Sequence, residues 1–168
     1  MRGAPPESGE GGRERGWIGC MKTRNDSKET EMSEEINVLL LDDEPIVGKR
    51  LKPALAKIGC QVEVFEEPAK ALERLDEKEF DIVVTDIRMD EIDGMQVLDH
   101  VRKKSSRTKV IMITGYAMMS LAREAMEKGA FDFIAKPFQP NDLRRVIAKA
   151  AEALGSSIDF ASAAGGDA

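Results

Sequence analysis

Short apolar runs alternate with longer amphipathic segments along the middle of the chain. Three of these runs, INVLLL, DIVVTD and VIMIT, are nearly continuous in aliphatic residues. Strands of a parallel sheet that is covered on both faces have sequences of this kind. The runs predict five strands, at Ile36–Leu41, Gln61–Phe65, Phe80–Thr85, Lys109–Ile113 and Phe131–Ala135.

The segments between the runs carry apolar residues at helical spacing. In the last segment Leu143, Ile147 and Leu154 fall on one face, as in an amphipathic helix. Gly59 and Gly129 follow two of the segments, and glycine is typical of the position just past a helix end. The predicted helices are Pro45–Ile58, Pro68–Glu77, Gly94–Lys103, Ala117–Lys128 and Pro140–Leu154.

Pro53 lies inside the first predicted helix, where proline removes a hydrogen bond and costs about 3 kcal/mol. The apolar residues Val47, Leu51, Leu55 and Ile58 define a buried face from which Pro53 points away. We therefore expect a kink on the solvent side and an otherwise intact helix.

The alternation of strand and helix predicts a doubly wound α/β domain with right-handed crossovers. A flavodoxin-like, five-stranded parallel sheet of order 2-1-3-4-5 with five helices is a common form of this architecture. The pattern occupies residues 34–154. Residues 1–33 are rich in glycine, proline, serine and mixed charge and predict a disordered tail, and residues 155–168 predict a flexible tail.

Composition restricts the classes of function. The formal net charge is −6 at pH 7, which argues against a nucleic-acid-binding surface. No apolar run reaches the length of a membrane span, so we expect neither membrane nor nucleic acid as a partner. The two cysteines, Cys20 and Cys60, lack metal-type spacing, which is consistent with a reducing cytoplasm.

Polar residues follow the predicted strands at their carboxyl ends. Asp42 and Asp43 come directly after the first strand, and Asp86 ends the third. Thr114 ends the fourth strand and Lys136 the fifth. In the order 2-1-3-4-5 the first and third strands flank the point where strand order reverses and where such sheets bind ligands. We therefore expect these side chains on one rim of the sheet.

Three carboxylates on one rim need a compensating charge. Two like charges 4 Å apart repel by about 4 kcal/mol at a surface-like effective dielectric constant. Hard oxygen ligands favour Mg²⁺ or Mn²⁺, and Lys136 adds a fixed positive charge. Because a carboxylate can attack phosphorus and form an acyl phosphate, we interpret the rim as a site for phosphoryl chemistry.

Four segments resemble the signatures of response-regulator receiver domains. They are LLLDDEP, VVTDIRMDEIDG, VIMITGYA and FDFIAKPF, in this order and each at the end of a predicted strand. The resemblance extends over the whole predicted domain, from Ile36 to Leu154. Four motifs in register are far more specific than one pair of aspartates, which alone is as typical of a helix cap.

The resemblance implies the following roles for the acidic side of the rim. Asp86 corresponds to the phosphoaccepting aspartate. Asp43 and Asp86 correspond to direct carboxylate ligands of Mg²⁺, and Asp42 to a ligand that acts through water. Arg88 stands where the family offers a backbone carbonyl to the metal.

On the opposite side, Thr114 and Lys136 correspond to the hydroxyl and ammonium groups that hold the phosphoryl group. Phe133 stands at the position of the switch aromatic residue, where relatives often have tyrosine. The resemblance also implies a cis peptide bond between Lys136 and Pro137.

The function implied by the resemblance is that of a response regulator in a bacterial two-component system. A histidine kinase or phosphotransfer protein would donate the phosphoryl group to Asp86, and an unidentified downstream protein would read the signal. We expect self-catalysed transfer and self-dephosphorylation rather than enzymatic turnover. Only fourteen residues follow Leu154, so the expectation is a stand-alone receiver in the cytoplasm.

Other functions match parts of the pattern. A phosphorelay intermediate that passes the phosphoryl group onward would need the same rim. An aspartyl phosphatase of the haloacid-dehalogenase type has a second acid two residues after its nucleophile, where this chain has Arg88. An FMN protein needs a phosphate-binding loop in place of DDEP, and a degenerate receiver would lack one of the rim residues.

Several further residues are assigned no chemistry. We predict a solvated loop at Asp90, Glu91 and Asp93. We expect His100 at an exposed position of a helix and Cys60 at a packed position at the start of a strand. On the fourth predicted helix, core packing is expected for Met119, Ala122 and Met126. Met118, Leu121 and Ala125 form a second stripe on that helix. Core packing is the default interpretation of this stripe, and an exposed surface for a partner is the alternative.

Overall fold

A computed structural model describes residues 35–89 and 91–156 of the protein, apart from the side chain of Tyr116. Five strands and five α-helices alternate in this part of the chain. The strands are β1 Ile36–Leu41, β2 Cys60–Phe65, β3 Ile82–Asp86, β4 Lys109–Thr114 and β5 Asp132–Ala135. The helices are α1 Pro45–Ala56, α2 Pro68–Glu77, α3 Gly94–Lys104, α4 Met119–Glu127 and α5 Pro140–Ala153. The tail predicted at 1–33, and the tail at 155–168 beyond Ser156, lie outside the described residues.

The five strands form one parallel sheet in the order β2-β1-β3-β4-β5, which confirms the predicted doubly wound fold. At the carboxyl ends, Leu41 pairs with Phe65 on one side and with Thr85 on the other. Thr114 pairs with Ala135 on the neighbouring strands. The strand order reverses between β1 and β3, so the chain leaves these adjacent strands toward opposite faces of the sheet.

The sheet separates two hydrophobic layers, and alternate residues of each strand enter different layers. On one face, β1 residues such as Leu40 pack with Leu51 of α1 and Ile147 of α5. On the other face, Leu39 packs in a cluster that includes Leu98 of α3. Because both faces are covered, the central strands are buried throughout, which explains their continuous aliphatic sequences.

Two helices, α1 and α4, end two or three residues before the glycines that were predicted to terminate them. Gly59 and Gly129 have φ values of 88° and 107°, a left-handed conformation that side chains with a Cβ disfavour. Pro53 is exposed within α1, as predicted, and α1 ends at Ala56, two residues before the predicted end. At the start of α3, Asp93 forms a capping box with Gln96. Asp93 lies in the loop before α3, as predicted, and in addition caps that helix. Asp90 of the same predicted loop lies outside the described residues.

The predicted burial pattern of the fourth helix is wrong at Met126. Ala125 is fully buried, whereas Met126 is 39% exposed. Packing against the sheet buries a face of α4 that is rotated toward Ala125 relative to the predicted face. The helix begins at Met119, after a short 3₁₀ turn over Tyr116–Met118. Its buried side is formed by Ala122 and Ala125, with Leu121 packed partly against the same cluster.

Two residues given no chemistry lie away from the carboxyl ends of the strands. Cys60 is buried at the start of β2, and burial raises the pKa of its thiol to about 12. His100 is half-buried rather than exposed, with Nε2 2.9 Å from Oδ1 of Asp76 on α2.

In the described part of the chain, no helix has the length and apolar character required to cross a membrane.

Candidate phosphoryl-transfer site

Asp86 is buried at the last position of β3, and each of its carboxylate oxygens accepts one hydrogen bond. Oδ1 accepts from the backbone N–H of Arg88 at 3.0 Å, and Oδ2 accepts from Nζ of Lys136 at 2.7 Å. The strand on either side of Asp86 is held by its neighbours, since the N–H of Ile87 donates to the carbonyl of Ile113 at 2.9 Å. The carboxylate is therefore fixed in orientation from two directions.

Asp42 is the most deeply buried acid of the site, with 1% of its surface exposed. Its Oδ1 accepts from the N–H of Glu44 at 2.9 Å, and its Oδ2 has no hydrogen-bond partner. Burial raises the pKa of Asp42 above the usual range of aspartate, against the lowering effect of the Glu44 N–H and Lys136. Asp42 does not cap α1, whose N-cap residue is Glu44.

Asp43 is exposed directly beside Asp42. One carboxylate oxygen from each of Asp42, Asp43 and Asp86 lies within 4.8 Å of the other two. Three such oxygens around one point, one of them buried without a hydrogen-bond partner, match the oxygen ligands that Mg²⁺ and Mn²⁺ prefer. The residues thus fit a divalent metal ion.

Lys136 reaches back from the end of β5 into the acidic cluster. Its Nζ lies 2.7 Å from Asp86 Oδ2, 3.5 Å from Asp42 Oδ2 and 3.7 Å from Glu44 Oε1. Burial lowers the pKa of Lys136, but the hydrogen bond and the charges of these carboxylates outweigh it, so the pKa is raised. The ammonium group is therefore charged at neutral pH. The Lys136–Pro137 bond is cis, as predicted.

Thr114 ends β4, the strand next to β3, and Phe133 lies on β5, the strand that leads to Lys136. Thr114 is fully buried, and its hydroxyl donates to the carbonyl of Gly115 at 3.0 Å. Phe133 pairs with Met112 across β4 and β5 and is half-buried against the same cluster as Leu121 of α4. The two residues thus connect the rim to the packing of α4.

An open cleft of about 440 Å³ gives access to the carboxylates. The cleft extends from the carboxylates to the 3₁₀ turn before α4. It is lined by Asp43, Glu44, Asp86, Arg88, Met89, Gly115, Ala117, Met118 and Lys136. A second depression of about 420 Å³ adjoins it between α1 and the β5–α5 loop. It is lined by Val47, Arg50, Leu51, Pro137 and Phe138, and it shares Glu44 and Lys136 with the cleft.

The structure brings together Asp42, Asp43, Asp86 and Lys136. Thr114 ends the neighbouring strand β4, as predicted, but its hydroxyl bonds to Gly115 and the residue does not line the cleft. Other contacts at the site were not predicted from the sequence. The Arg88 N–H contacts Asp86, although only the Arg88 carbonyl was considered. Glu44 reaches Lys136 and lines both depressions. Because Glu44 directly follows Asp43 at the end of a strand, its place at the site could have been predicted from the sequence. Gly94 approaches Asp86 closely, and no pattern in the sequence indicated that contact.

Comparison with known protein families gives one consistent result. A family model described as the response regulator receiver domain matches residues 38–148. Among curated proteins, the photosynthetic apparatus regulatory protein RegA of Rhodovulum sulfidophilum is 30% identical over 127 residues, which cover 76% of this chain and 69% of RegA. The regulatory protein AtoC of Escherichia coli is 36% identical over 113 residues, 67% of this chain.

The chain spans about a quarter of the length of the first curated relatives, for example 24% of AtoC and 26% of the Pseudomonas aeruginosa regulator DctD. Solved structures agree with the fold. A response regulator receiver domain protein from Clostridium thermocellum superposes with a TM-score of 0.67 at 29% identity, covering 70% of this chain and 95% of that one. NtrX from Brucella abortus superposes with a TM-score of 0.68 at 28% identity, covering 72% of this chain and 28% of NtrX.

Proposed function

The chain belongs to the response regulator receiver family of two-component systems, and we propose that it accepts a phosphoryl group on Asp86. One observation carries the proposal. The Asp86 carboxylate ends a buried strand, is oriented by Lys136 and the Arg88 N–H, and faces an open cleft beside two further carboxylates. The donor is a histidine kinase or a phosphotransfer protein.

In the transfer, a carboxylate oxygen of Asp86 attacks phosphorus and forms the new P–O bond. The bond between phosphorus and the imidazole nitrogen of the donor breaks, and its electron pair stays on that nitrogen. With a proton on the other ring nitrogen, the leaving group departs as neutral imidazole. Lys136 remains charged throughout and balances the negative charge of the acyl phosphate.

Asp43, Asp86 and the backbone carbonyl of Arg88 would hold Mg²⁺ or Mn²⁺ directly, and Asp42 would act through water. When bound, the metal ion neutralises the carboxylates and polarises the phosphoryl oxygens. Asp42 suits the indirect role because it is buried behind the cluster, whereas Asp43 is exposed at the cleft. The buried Oδ2 of Asp42 also supports this assignment, since it has no hydrogen-bond partner.

Thr114 and Phe133 respond to the phosphoryl group. The Thr114 hydroxyl, which donates to Gly115, turns and donates to a phosphoryl oxygen. The movement leaves space beside β4, and Phe133 swings inward to fill it. Because Gly115 leads directly into the 3₁₀ turn and α4, this change alters the surface that α4 presents.

The donor protein docks over the depression between α1 and the β5–α5 loop. This surface is open and partly apolar, with Val47, Leu51 and Phe138 in its lining. Ile46, next to Val47 at the start of α1, is 70% exposed and adds apolar surface there. The shared Glu44 and Lys136 place this surface next to Asp86.

The product of the reaction is a signal, so we assign self-catalysed transfer rather than turnover of a substrate. A downstream protein reads the changed surface of α4, or takes the phosphoryl group onward in a relay. Curated relatives include the DNA-binding transcriptional regulator NtrC of Escherichia coli, of which this chain covers 24%. That the receiver itself contacts proteins rather than nucleic acid, in the cytoplasm, stays a prediction.

Labelling with a small donor tests the proposal. The full chain with Mg²⁺ and acetyl phosphate should gain one phosphoryl group, stable to acid and labile to base, by intact mass spectrometry. Asp86→Asn should abolish the gain. Asp81→Asn is the matched control and should be labelled normally. Asp81 lies one residue before the same strand, and its carboxylate accepts a hydrogen bond from the Asn37 N–H. Labelling of Asp86→Asn at the wild-type rate would refute the assignment.

A further inference from the structure

The start of α3 packs directly on the backbone of the proposed phosphoacceptor. A Cβ atom added to Gly94 would lie 2.4 Å from the carbonyl oxygen of Asp86 and 2.8 Å from Cα of Ile87. The Gly94 N–H donates to the carbonyl of Ile87 at 2.9 Å. Backbone therefore meets backbone here, with no side chain between α3 and the end of β3.

Gly94 is required for space and not for conformation. In the described residues, positive φ values among glycines occur at 59, 129 and 155, so Gly94 has a backbone that alanine adopts without strain. Gly94 is also the first residue of a helix, where alanine is favoured over glycine. Conformational preference would thus permit alanine, and only the contact with Asp86 and Ile87 excludes it.

Neither side of this contact can retreat easily. Ile87 is buried, and its N–H is bonded to β4 through Ile113. On the other side, α3 is held by its capping box and by the buried side chains of Val97 and Leu98. Relief of a 2.4 Å contact to ordinary van der Waals distance requires a shift of about 1 Å.

The segment that would shift carries the groups that orient the acceptor. Residue 88 follows Ile87 directly, and its N–H holds Oδ1 of Asp86 at 3.0 Å. The same residue offers the carbonyl assigned above to the metal ion. A displacement of Ile87 therefore turns the Asp86 carboxylate away from Lys136 and moves the Arg88 carbonyl.

We propose that Gly94 is a positioning residue, whose missing side chain lets α3 set the orientation of the Asp86 carboxylate and of the Arg88 peptide. The proposal rests on the proposed function of Asp86 as phosphoacceptor. Gly94 itself touches no reacting atom and acts through the backbone of residues 86–88.

Gly48→Ala provides a matched control. Gly48 is also a buried glycine within a helix, and a Cβ there would lie 2.5 Å from Cγ1 of Val64. That contact is with a side chain on β2, away from Asp86. Both substitutions thus add one methyl group at a tight helix–strand contact, but only Gly94→Ala presses on the acceptor.

The experiment compares wild type, Gly94→Ala and Gly48→Ala, each as the full chain of 168 residues, at low temperature. Urea unfolding gives the fraction folded, and the labelling rate is measured with acetyl phosphate at saturating Mg²⁺. Gly94→Ala should reduce the rate per folded molecule by roughly 10- to 100-fold, the effect typical of a 1 Å misplacement. Gly48→Ala should stay within about twofold of wild type.

The amide resonance of Arg88, recorded without Mg²⁺ or donor, is the readout independent of labelling. Loss of the bond to Asp86 Oδ1 should shift it in Gly94→Ala and not in Gly48→Ala. An unchanged resonance and rate in folded Gly94→Ala would overturn the proposal, as would a Gly94→Ala chain that does not fold, which would assign Gly94 to the fold alone. Absence of labelling in wild type would instead refute the function of Asp86, while the Arg88 resonance would still test Gly94.

Discussion

Two adjacent aspartates of the site occupy opposite environments. Asp42 is buried with a raised pKa and one oxygen that has no hydrogen-bond partner, whereas Asp43 is exposed at the cleft. Because successive side chains after β1 point in different directions, Asp42 lies buried at the end of the sheet and Asp43 faces solvent. This difference in environment supports the proposal that a metal ion would contact Asp43 directly and Asp42 through water.

We predict that Mg²⁺ stabilises the native protein through Asp43. A ligand that binds only the folded state at 100 times its Kd contributes about 2.7 kcal/mol, which corresponds to a rise in Tm of roughly 5–10 °C for a domain of this size. Asp43→Ala should remove most of this rise. Thermal unfolding followed by circular dichroism, with NaCl at matched ionic strength as the control, provides the measurement. An equal rise in wild type and variant would contradict the prediction.

At the level of secondary-structure elements, the edge strand β2 is tied to α2 by one ion-pair cluster. Glu63 accepts from Nε and Nη2 of Arg74 at 2.8 and 3.1 Å and from Nζ of Lys78 at 3.0 Å. The hydrogen bond from Arg74 is the largest cause that lowers the pKa of Glu63, to about 2. Since the Glu63 side chain is 30% exposed, solvent screens much of this interaction.

Glu63→Gln should cost about 1 kcal/mol of stability at pH 7, a value reduced from the full pKa shift to allow for solvent screening. A carboxyl group with a lowered folded-state pKa stabilises the fold above its unfolded pKa. The difference between wild type and variant should therefore shrink as the pH falls from about 4.5 toward 2.

Urea unfolding across this pH range measures the difference. Glu67→Gln is the control, because the Lys70–Glu67 pair is 63% exposed on both sides and should contribute nothing measurable. A Glu63→Gln difference that is independent of pH would show that packing, and not charge, accounts for the loss.

Across the whole molecule, the rim and α4 are joined by a short path. Thr114 ends β4, Gly115 follows it, and the chain then enters the 3₁₀ turn and α4. Phe133 and Leu121 pack against the same hydrophobic cluster as the buried face of α4. By contrast, α2 lies beside β1 and β2, away from Thr114, and its first turn starts at Pro68.

We predict that beryllofluoride, a mimic of the phosphoryl group, shifts amide resonances from Thr114 to Met126 and around Phe133. The mimic must favour one of two states through contacts that differ between them, and the Thr114 hydroxyl provides such a contact. Residues Pro68–Glu77 of α2 should change little in the same spectra. Thr114→Ala should blunt the distant shifts and spare those near Asp86. Shifts confined to the neighbourhood of Asp86 in wild type would show that α4 is not the output surface.

The sequence alone determined the sheet and the composition of the rim. Aliphatic runs long enough for strands, separated by amphipathic segments, leave few topologies, and parallel strands of such a sheet end on one edge. Asp42, Asp43, Asp86, Thr114 and Lys136 could therefore be predicted to share that edge. Their proximity follows from strand order and does not depend on the details of packing.

Contacts between elements were decided only by the tertiary structure. Helical spacing permits more than one apolar face on α4, and packing against the sheet buries Ala125 rather than Met126. The pairing of Glu63 with Arg74 depends on how α2 lies against the sheet. Gly94 has an ordinary backbone, and its need for space comes from atoms of Asp86 and Ile87. Periodicity specifies which face of an element is apolar, whereas distances between elements arise from the close packing of all side chains together.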